Sequence, residues 1–178
     1  GKRYYYRQNE DKKIIFKPSV TTILDATALN KDKVALNKFK ENYPFSASKI
    51  IAEDAANYGT FLHEQITMFI REGYYDFDNI IQQIQMFETY NNIRVDYKEY
   101  ENKIKRHMVS LITFFKEREV KALACEVPLH NDKYAGCIDL VCEMTYNKKR
   151  VIAVVDYKSR EKNQFYESEE SQLLMYTR

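Results

Sequence analysis

The sequence predicts an α+β domain in which helices pack on a small sheet. Three observations predict it. Apolar residues recur at helical spacing up to about residue 119, three strand-like runs follow between 122 and 159, and a last helical pattern begins near Gln164. The two links between the runs, Asn131-Asp132-Lys133 and Tyr146-Asn147-Lys148-Lys149, are far too short for parallel crossovers, so the runs form an antiparallel meander. The chain has 178 residues, of which 44% are hydrophobic, with 15 Tyr and 10 Phe. That is enough to bury a core, and it excludes a disordered chain. Only 4 Gly and 3 Pro exclude a collagen-like or low-complexity one.

Each element has its own signal. Tyr4-Tyr5-Tyr6 and Ile14-Ile15-Phe16 flank a polar stretch, Arg7 to Lys13, and predict a short hairpin. Pro18-Ser19-Val20-Thr21-Thr22 leads into Ile23-Leu24, and Asp32 to Lys40 reads as a short helix. Ser46 or Ser48 would cap a helix towards Asn57, which Gly59-Thr60 interrupts or follows with a second helix from Phe61 to Arg71. Leu62, Ile66, Phe69 and Ile70 are its apolar stripe. Asp76 to Tyr90 is helical, with Ile80, Ile81, Ile84 and Phe87 on one face. The strongest helix runs from Asp96 to Glu119, on Ile104, Met108, Leu111, Ile112 and Phe115. Strands are expected over Ala122–His130, Tyr134–Thr145 and Arg150–Ser159. Leu173, Leu174 and Tyr176 mark the final helix.

Net charge is +2, which neither demands nor excludes a nucleic acid, so any basic surface must be local. From 148 to 162 there are six Lys or Arg against Asp156 and Glu161. Lys148-Lys149-Arg150 reads as a solvated turn, and Arg160 and Lys162 are the better phosphate contacts. Clustered tyrosines can stack on unpaired bases, though Tyr4 to Tyr6 are expected to pack in or on their hairpin. Cys125, Cys137 and Cys142 lack C-x-x-C spacing and read as small buried hydrophobes of a reducing compartment. No apolar run approaches the roughly 18 residues of a membrane span, so no membrane partner is expected. The N-terminal residues carry tyrosines and charges in place of a signal core, and a cytoplasmic setting is the expectation.

Chemistry concentrates in the second and third strands. Val151 to Lys158 alternates so that Ile152, Val154, Asp156 and Lys158 share a face, which sets two charges at the end of an apolar row. Burying either charge alone would cost several kcal/mol, so pairing, a metal or an opening to water must offset it. A turn centred between Asn147 and Lys148 sets Asp139 opposite Asp156 across the ladder. Two acids so placed repel unless a divalent cation lies between them. Oxygen-rich ligation favours Mg²⁺ or Mn²⁺ over Zn²⁺. A metal beside a lysine suits phosphodiester hydrolysis, with Lys158 orienting or deprotonating water or neutralising charge on phosphate.

Asp139 followed by Asp156-Tyr157-Lys158 resembles the PD-(D/E)XK nuclease superfamily, in its RecB-like, phage-type exonuclease branch. Four further segments match that branch in order: Pro18 to Leu24, Gly59-Thr60-Phe61-Leu62-His63-Glu64, Glu126 before Gly136-x-x-Asp139, and Gln172-Leu173-Leu174-Met175-Tyr176. The resemblance implies a restriction-endonuclease-like core, with helices on a small mixed sheet around the three-stranded meander. It also implies one nuclease domain: a hairpin over 1–17, a mainly helical part over 18–121 and a catalytic core over 122–178. By that resemblance His63, Asp139, Asp156 and the Tyr157 backbone carbonyl hold Mg²⁺ or Mn²⁺. Lys158, Asp139 and Asp156 are then catalytic, Gln172 and Tyr176 contact DNA or brace the site, and Glu126 supports it or a second metal. Some relatives hold an iron–sulfur cluster, with one cysteine ahead of the histidine motif. No cysteine precedes Cys125, so no cluster is expected. Relatives continue the last helix and add further elements, which leaves open whether residues follow Arg178.

The function expected is therefore metal-dependent cleavage of DNA in phage or bacterial recombination, repair or defence, with exonuclease action ahead of endonuclease. A homo-oligomer and recombination proteins stay open as partners. A catalytically inactive DNA-binding or assembly module of the same fold is the alternative, and a hydrolase of other phosphoesters is a third reading. Each motif has a plainer reading as well: D-x-K as a salt-bridging strand end, His63 as a packed helix histidine, Gln172 and Tyr176 as one face of an ordinary helix.

Overall fold

The structure is a computed structural model that describes residues 4–8, 12, 14–27, 37–38, 41–160 and 166–177. The helix expected over 32–40 lies for the most part outside these residues. In chain order the elements are β1 (Tyr4–Gln8), β2 (Ile14–Pro18), α1 (Val20–Thr27), α2 (Phe45–Glu72), α3 (Ile80–Asn91), α4 (Tyr97–Glu117), β3 (Lys121–His130), β4 (Ala135–Tyr146), β5 (Lys149–Val155) and α5 (Glu167–Tyr176). The α+β class holds. β1 and β2 form a separate antiparallel ribbon, and β3-β4-β5 form the antiparallel meander. The sheet was expected to be mixed; its described ladders are all antiparallel, and the parallel pairing seen is an isolated bridge between Ser19 and Ala135. No described helix is long and apolar enough to cross a membrane.

Local chemistry explains the junctions. Pro18 ends β2, and Ser19 caps α1 by accepting the Thr22 N–H at 3.0 Å, so the Pro-Ser-Val-Thr-Thr segment is a strand-to-helix junction. Lys17 is buried, and its Nζ donates to the Asn131 carbonyl in the β3–β4 turn. α2 passes through Gly59 and Thr60 without a break, contrary to the expected interruption, and its start at Pro44 has no side-chain cap. Gly73 ends it in the left-handed conformation (φ 77°). The chain before α3 makes a turn in which Asp76 Oδ1 accepts the Asp78 N–H, so helix begins at Ile80 and not at Asp76. Asp96, the expected first residue of α4, is its cap, accepting the Glu99 N–H.

The helical core is Tyr58, Phe61, Leu62 and Ile66 of α2, Ile80, Ile84 and Phe87 of α3, and Tyr100, Ile104 and Met108 of α4. Ile81, expected in this stripe, faces outward. Ile70, Phe114 and Phe115 then join the helices to Leu140, Cys142 and Met144 of the sheet. Each fully buried Ile or Leu contributes about 1.5–3 kcal/mol. In β5 the residues that pack on this core are Val151, Ala153 and Val155; Ile152 is 67% exposed, so the row that carries Asp156 is not the inward one.

The hairpin register is the expected one. Asn147 and Lys148 both have positive φ (48° and 61°), as a two-residue turn between twisted strands requires. Tyr146 pairs with Lys149, and the ladder runs back to Leu140 with Val155. Strand β5 then ends, four residues before the expected Ser159, because the Tyr157 N–H leaves the ladder for the Asp139 carboxylate. The register that follows from the turn makes Asp139 and Asp156 the next rung. Arg150 sits away from that end and is held by Glu143 and the Glu119 carbonyl, as a turn residue would be.

Candidate metal centre

Three side chains from three elements converge. His63 lies one turn past Gly59 on α2, beside the buried Leu62 and Ile66 and half-exposed itself. Its Nδ1 stands 3.5 Å from Glu126 Oε1 of β3 and 3.7 Å from Asp139 Oδ1 of β4. One donor atom from each of the three lies within 4.8 Å of the others. The Tyr157 ring meets the imidazole edge-on, with centroids 5.9 Å apart.

Each carboxylate is held by its far oxygen. Asp139 Oδ2 accepts the Tyr157 N–H at 2.7 Å, and Glu126 Oε2 accepts the Cys137 thiol at 3.4 Å. The near oxygens are thereby left facing the imidazole, the kind of outer support that fixes ligand orientation. Burial pushes the Asp139 carboxyl up to about 6, with Asp156 and Glu126 adding in the same direction against the Tyr157 N–H and His63. Burial, with the neighbouring Glu126, pushes the Cys137 thiol up to about 11, which keeps it protonated and able to donate.

Glu126 has φ of +50°, unusual for a residue within a strand. Its neighbours Cys125 and Val127 pair with Leu140 and Ile138, so Glu126 faces Asp139. Glu126 and Asp139 thus share one rung of β3 and β4, and Asp156 follows directly on the last β5 rung, Val155 with Leu140. The expected link, Asn131 to Lys133, is centred on Asp132 and would set Glu126 opposite Ile138; the observed turn takes in Tyr134 as well, which moves the register by one and brings Glu126 opposite Asp139. Sequence reasoning gave it a supporting place; the geometry puts it among the converging donors.

Asp156 stands apart from the trio. Its Oδ1 accepts the Gln172 amide at 3.1 Å, and its Oδ2 pairs with Lys158 Nζ at 2.5 Å. Gln172 also donates to the Tyr176 hydroxyl at 3.0 Å, so both residues of the last helix brace Asp156. Tyr176 lies directly on Gly136, where a Cβ would come within 2.7 Å of its ring. Arg160, expected at phosphate, is occupied: it grips Glu169 with both guanidinium arms and lies over the Tyr166 ring. Glu169 in turn accepts the Tyr166 N–H at the start of α5, so Arg160 fastens the Lys158 loop to the helix that carries Gln172. Lys162 lies outside the described residues.

Two open hollows flank this arrangement. A groove of about 720 Å³ runs along α2 from Gly59 past His63 to Arg71 and is bounded by Glu126. A second, of about 310 Å³, is lined by Leu62, His107, Asp156 and Lys158 among others. The Tyr157 hydroxyl is buried without a hydrogen-bond partner, and nothing in the site accounts for it. Comparison with protein-family models, with curated proteins and with solved structures finds no match.

Proposed function

We propose that the chain is a divalent-metal-dependent deoxyribonuclease with a restriction-endonuclease-like core, of the RecB-like, phage-type exonuclease branch of the PD-(D/E)XK superfamily. The observation that carries this reading is the meeting of His63, from a helix far away in sequence, with Glu126 and Asp139. The donor set fits the ion. Two donors each about 2.1 Å from a shared Mg²⁺ or Mn²⁺ lie at most about 4.2 Å apart. The separations of 3.5 and 3.7 Å from Nδ1 to the two oxygens fall inside that limit. The two carboxylates are hard oxygen donors that suit these ions, and the imidazole is a single borderline donor among them. Three unpaired thiols accord with a cytoplasmic setting, in a bacterium or a phage-infected cell.

His63, Glu126 and Asp139 would hold the ion, with Asp156 and the Tyr157 carbonyl completing its shell as the family resemblance implies. A bound ion would supply Lewis acidity at a phosphoryl oxygen and make a nearby water more acidic. Lys158 places its ammonium beside this shell, where it can orient the attacking water and offset charge developing on the phosphate. Asp156 and Gln172 hold Lys158 and its strand end in position.

The decisive test is incubation of labelled linear and circular DNA with the protein in Mn²⁺ or in EDTA. Loss of linear DNA alone indicates an exonuclease, and nicked circles an endonuclease. Lys158→Ala is expected to reduce cleavage by about 10²–10⁴-fold while Mn²⁺ binding persists. Undiminished cleavage by that variant refutes the assignment.

A further inference from the structure

The N-terminal ribbon presents a face that the metal centre does not use. Strand alternation puts Tyr4, Tyr6, Ile14 and Phe16 on one side of β1–β2, and Tyr6 lies opposite Phe16 with ring centroids 6.4 Å apart. All four are exposed, Tyr6 to 75% and Phe16 to 67%. The other side is anchored. Tyr5, Ile15 and Lys17 line a small hollow with Pro128, Leu129 and Gly136, which Tyr6 also borders, and Lys17 donates to Asn131. The expectation that these tyrosines pack is met on that inner side alone. An apolar patch held outward on an anchored ribbon marks a binding surface.

The chemistry of the segment indicates the partner. Residues 2–13 include Lys2, Arg3, Arg7, Lys12 and Lys13 against Glu10 and Asp11. Flat rings within a basic segment match a single strand of nucleic acid, whose bases stack on aromatics while its phosphates meet cations. A duplex keeps its base faces stacked inside and offers the rings nothing comparable. The ribbon adjoins the site through its inner side, where Pro128 and Gly136 lie two to three residues along β3 and β4 from Glu126 and Asp139, roughly 7–10 Å at the rise of a strand.

We infer that the outer face of the ribbon, centred on Tyr6 and Phe16, is a stacking platform for unpaired bases that delivers a single strand or a frayed end to the metal centre. Delivery rests on the nuclease reading; binding does not. The test is the anisotropy of a labelled thymidine oligonucleotide and of a duplex of equal length, both in EDTA. Wild type should bind the single strand more tightly than the duplex. Tyr6→Ala with Phe16→Ala should weaken single-strand binding about tenfold or more, and Tyr6→Phe with Phe16→Tyr should leave it within about threefold. The chain has no Trp, so quenching of its tyrosine emission by the oligonucleotide is an independent readout on wild type, whatever the variants do to folding.

The inference is overturned if wild type shows neither binding nor quenching, or if the alanine pair binds the single strand as wild type does. It is overturned equally if the alanine pair loses single strand and duplex alike, or if it loses self-association in place of oligonucleotide binding. Cleavage in Mn²⁺ with ring-independent binding sinks this inference alone. Ring-dependent binding without cleavage in any metal sinks the nuclease reading alone.

Discussion

Asp139 uses its two carboxylate oxygens differently, one for the Tyr157 N–H and one towards His63. Burial raises its carboxyl to about 6, so the folded chain favours the protonated form. For a group raised on folding, the stabilisation is complete below its ordinary value near 4 and is lost as pH rises through about 6. Metal-free protein therefore carries a penalty at neutral pH that Asp139→Asn removes without losing the acceptor for Tyr157. In EDTA, the Tm of Asp139→Asn minus that of wild type is expected to grow by a few degrees between about pH 4 and pH 7. A difference flat across that range in calorimetry would show that Asp139 is not perturbed. Asp139 was legible from strand register, whereas His63 entered through the Gly59-to-Glu64 resemblance, since a lone helix histidine reads as packed. Arg160 was misread because its partner, Glu169, lies across a connection whose path spacing does not reveal. Glu126 is underweighted because the β3–β4 turn takes in Tyr134, one residue more than its polar stretch indicates, and that one residue decides which acid Glu126 faces.

At the scale of elements, nearly every helix and strand was legible from periodicity, and the ends were not. Gly59-Thr60 reads as a breaker, yet α2 continues, since the burial of Tyr58, Phe61 and Leu62 on both sides outweighs the roughly 1 kcal/mol that a mid-helix glycine costs. A methyl group at 59 would meet Ser159 Oγ at 3.7 Å, an ordinary contact. Gly59→Ala is thus expected to stabilise by about 0.5–1 kcal/mol, or about 1–4 °C in Tm by circular dichroism. A drop in Tm would mean that the Lys158–Arg160 loop presses on α2 more tightly than this contact implies. The early end of β5 has a similar cause: a side-chain acceptor on β4 took the N–H that alternation had assigned to the ladder.

For the molecule as a whole, the proposed ion would tie α2 to β3 and β4, elements that otherwise meet through packing. A ligand that binds only the folded chain stabilises it by about 2.7 kcal/mol at a hundredfold excess over Kd. For a chain of this size that is about 5–10 °C. Mn²⁺ at neutral pH should raise Tm by that order in wild type and fail to do so in His63→Ala. An unshifted wild type would dismiss the metal centre whether or not DNA is cut. A different long-range tie needs no ion. Gly136 is the second residue of β4 and Tyr176 closes α5, and one bare α-carbon admits the other's phenol ring. The two positions share a single steric allowance across forty residues of chain. Any lineage that enlarges the first must shrink or swing away the second, and in doing so it takes an acceptor from the amide that steadies Asp156.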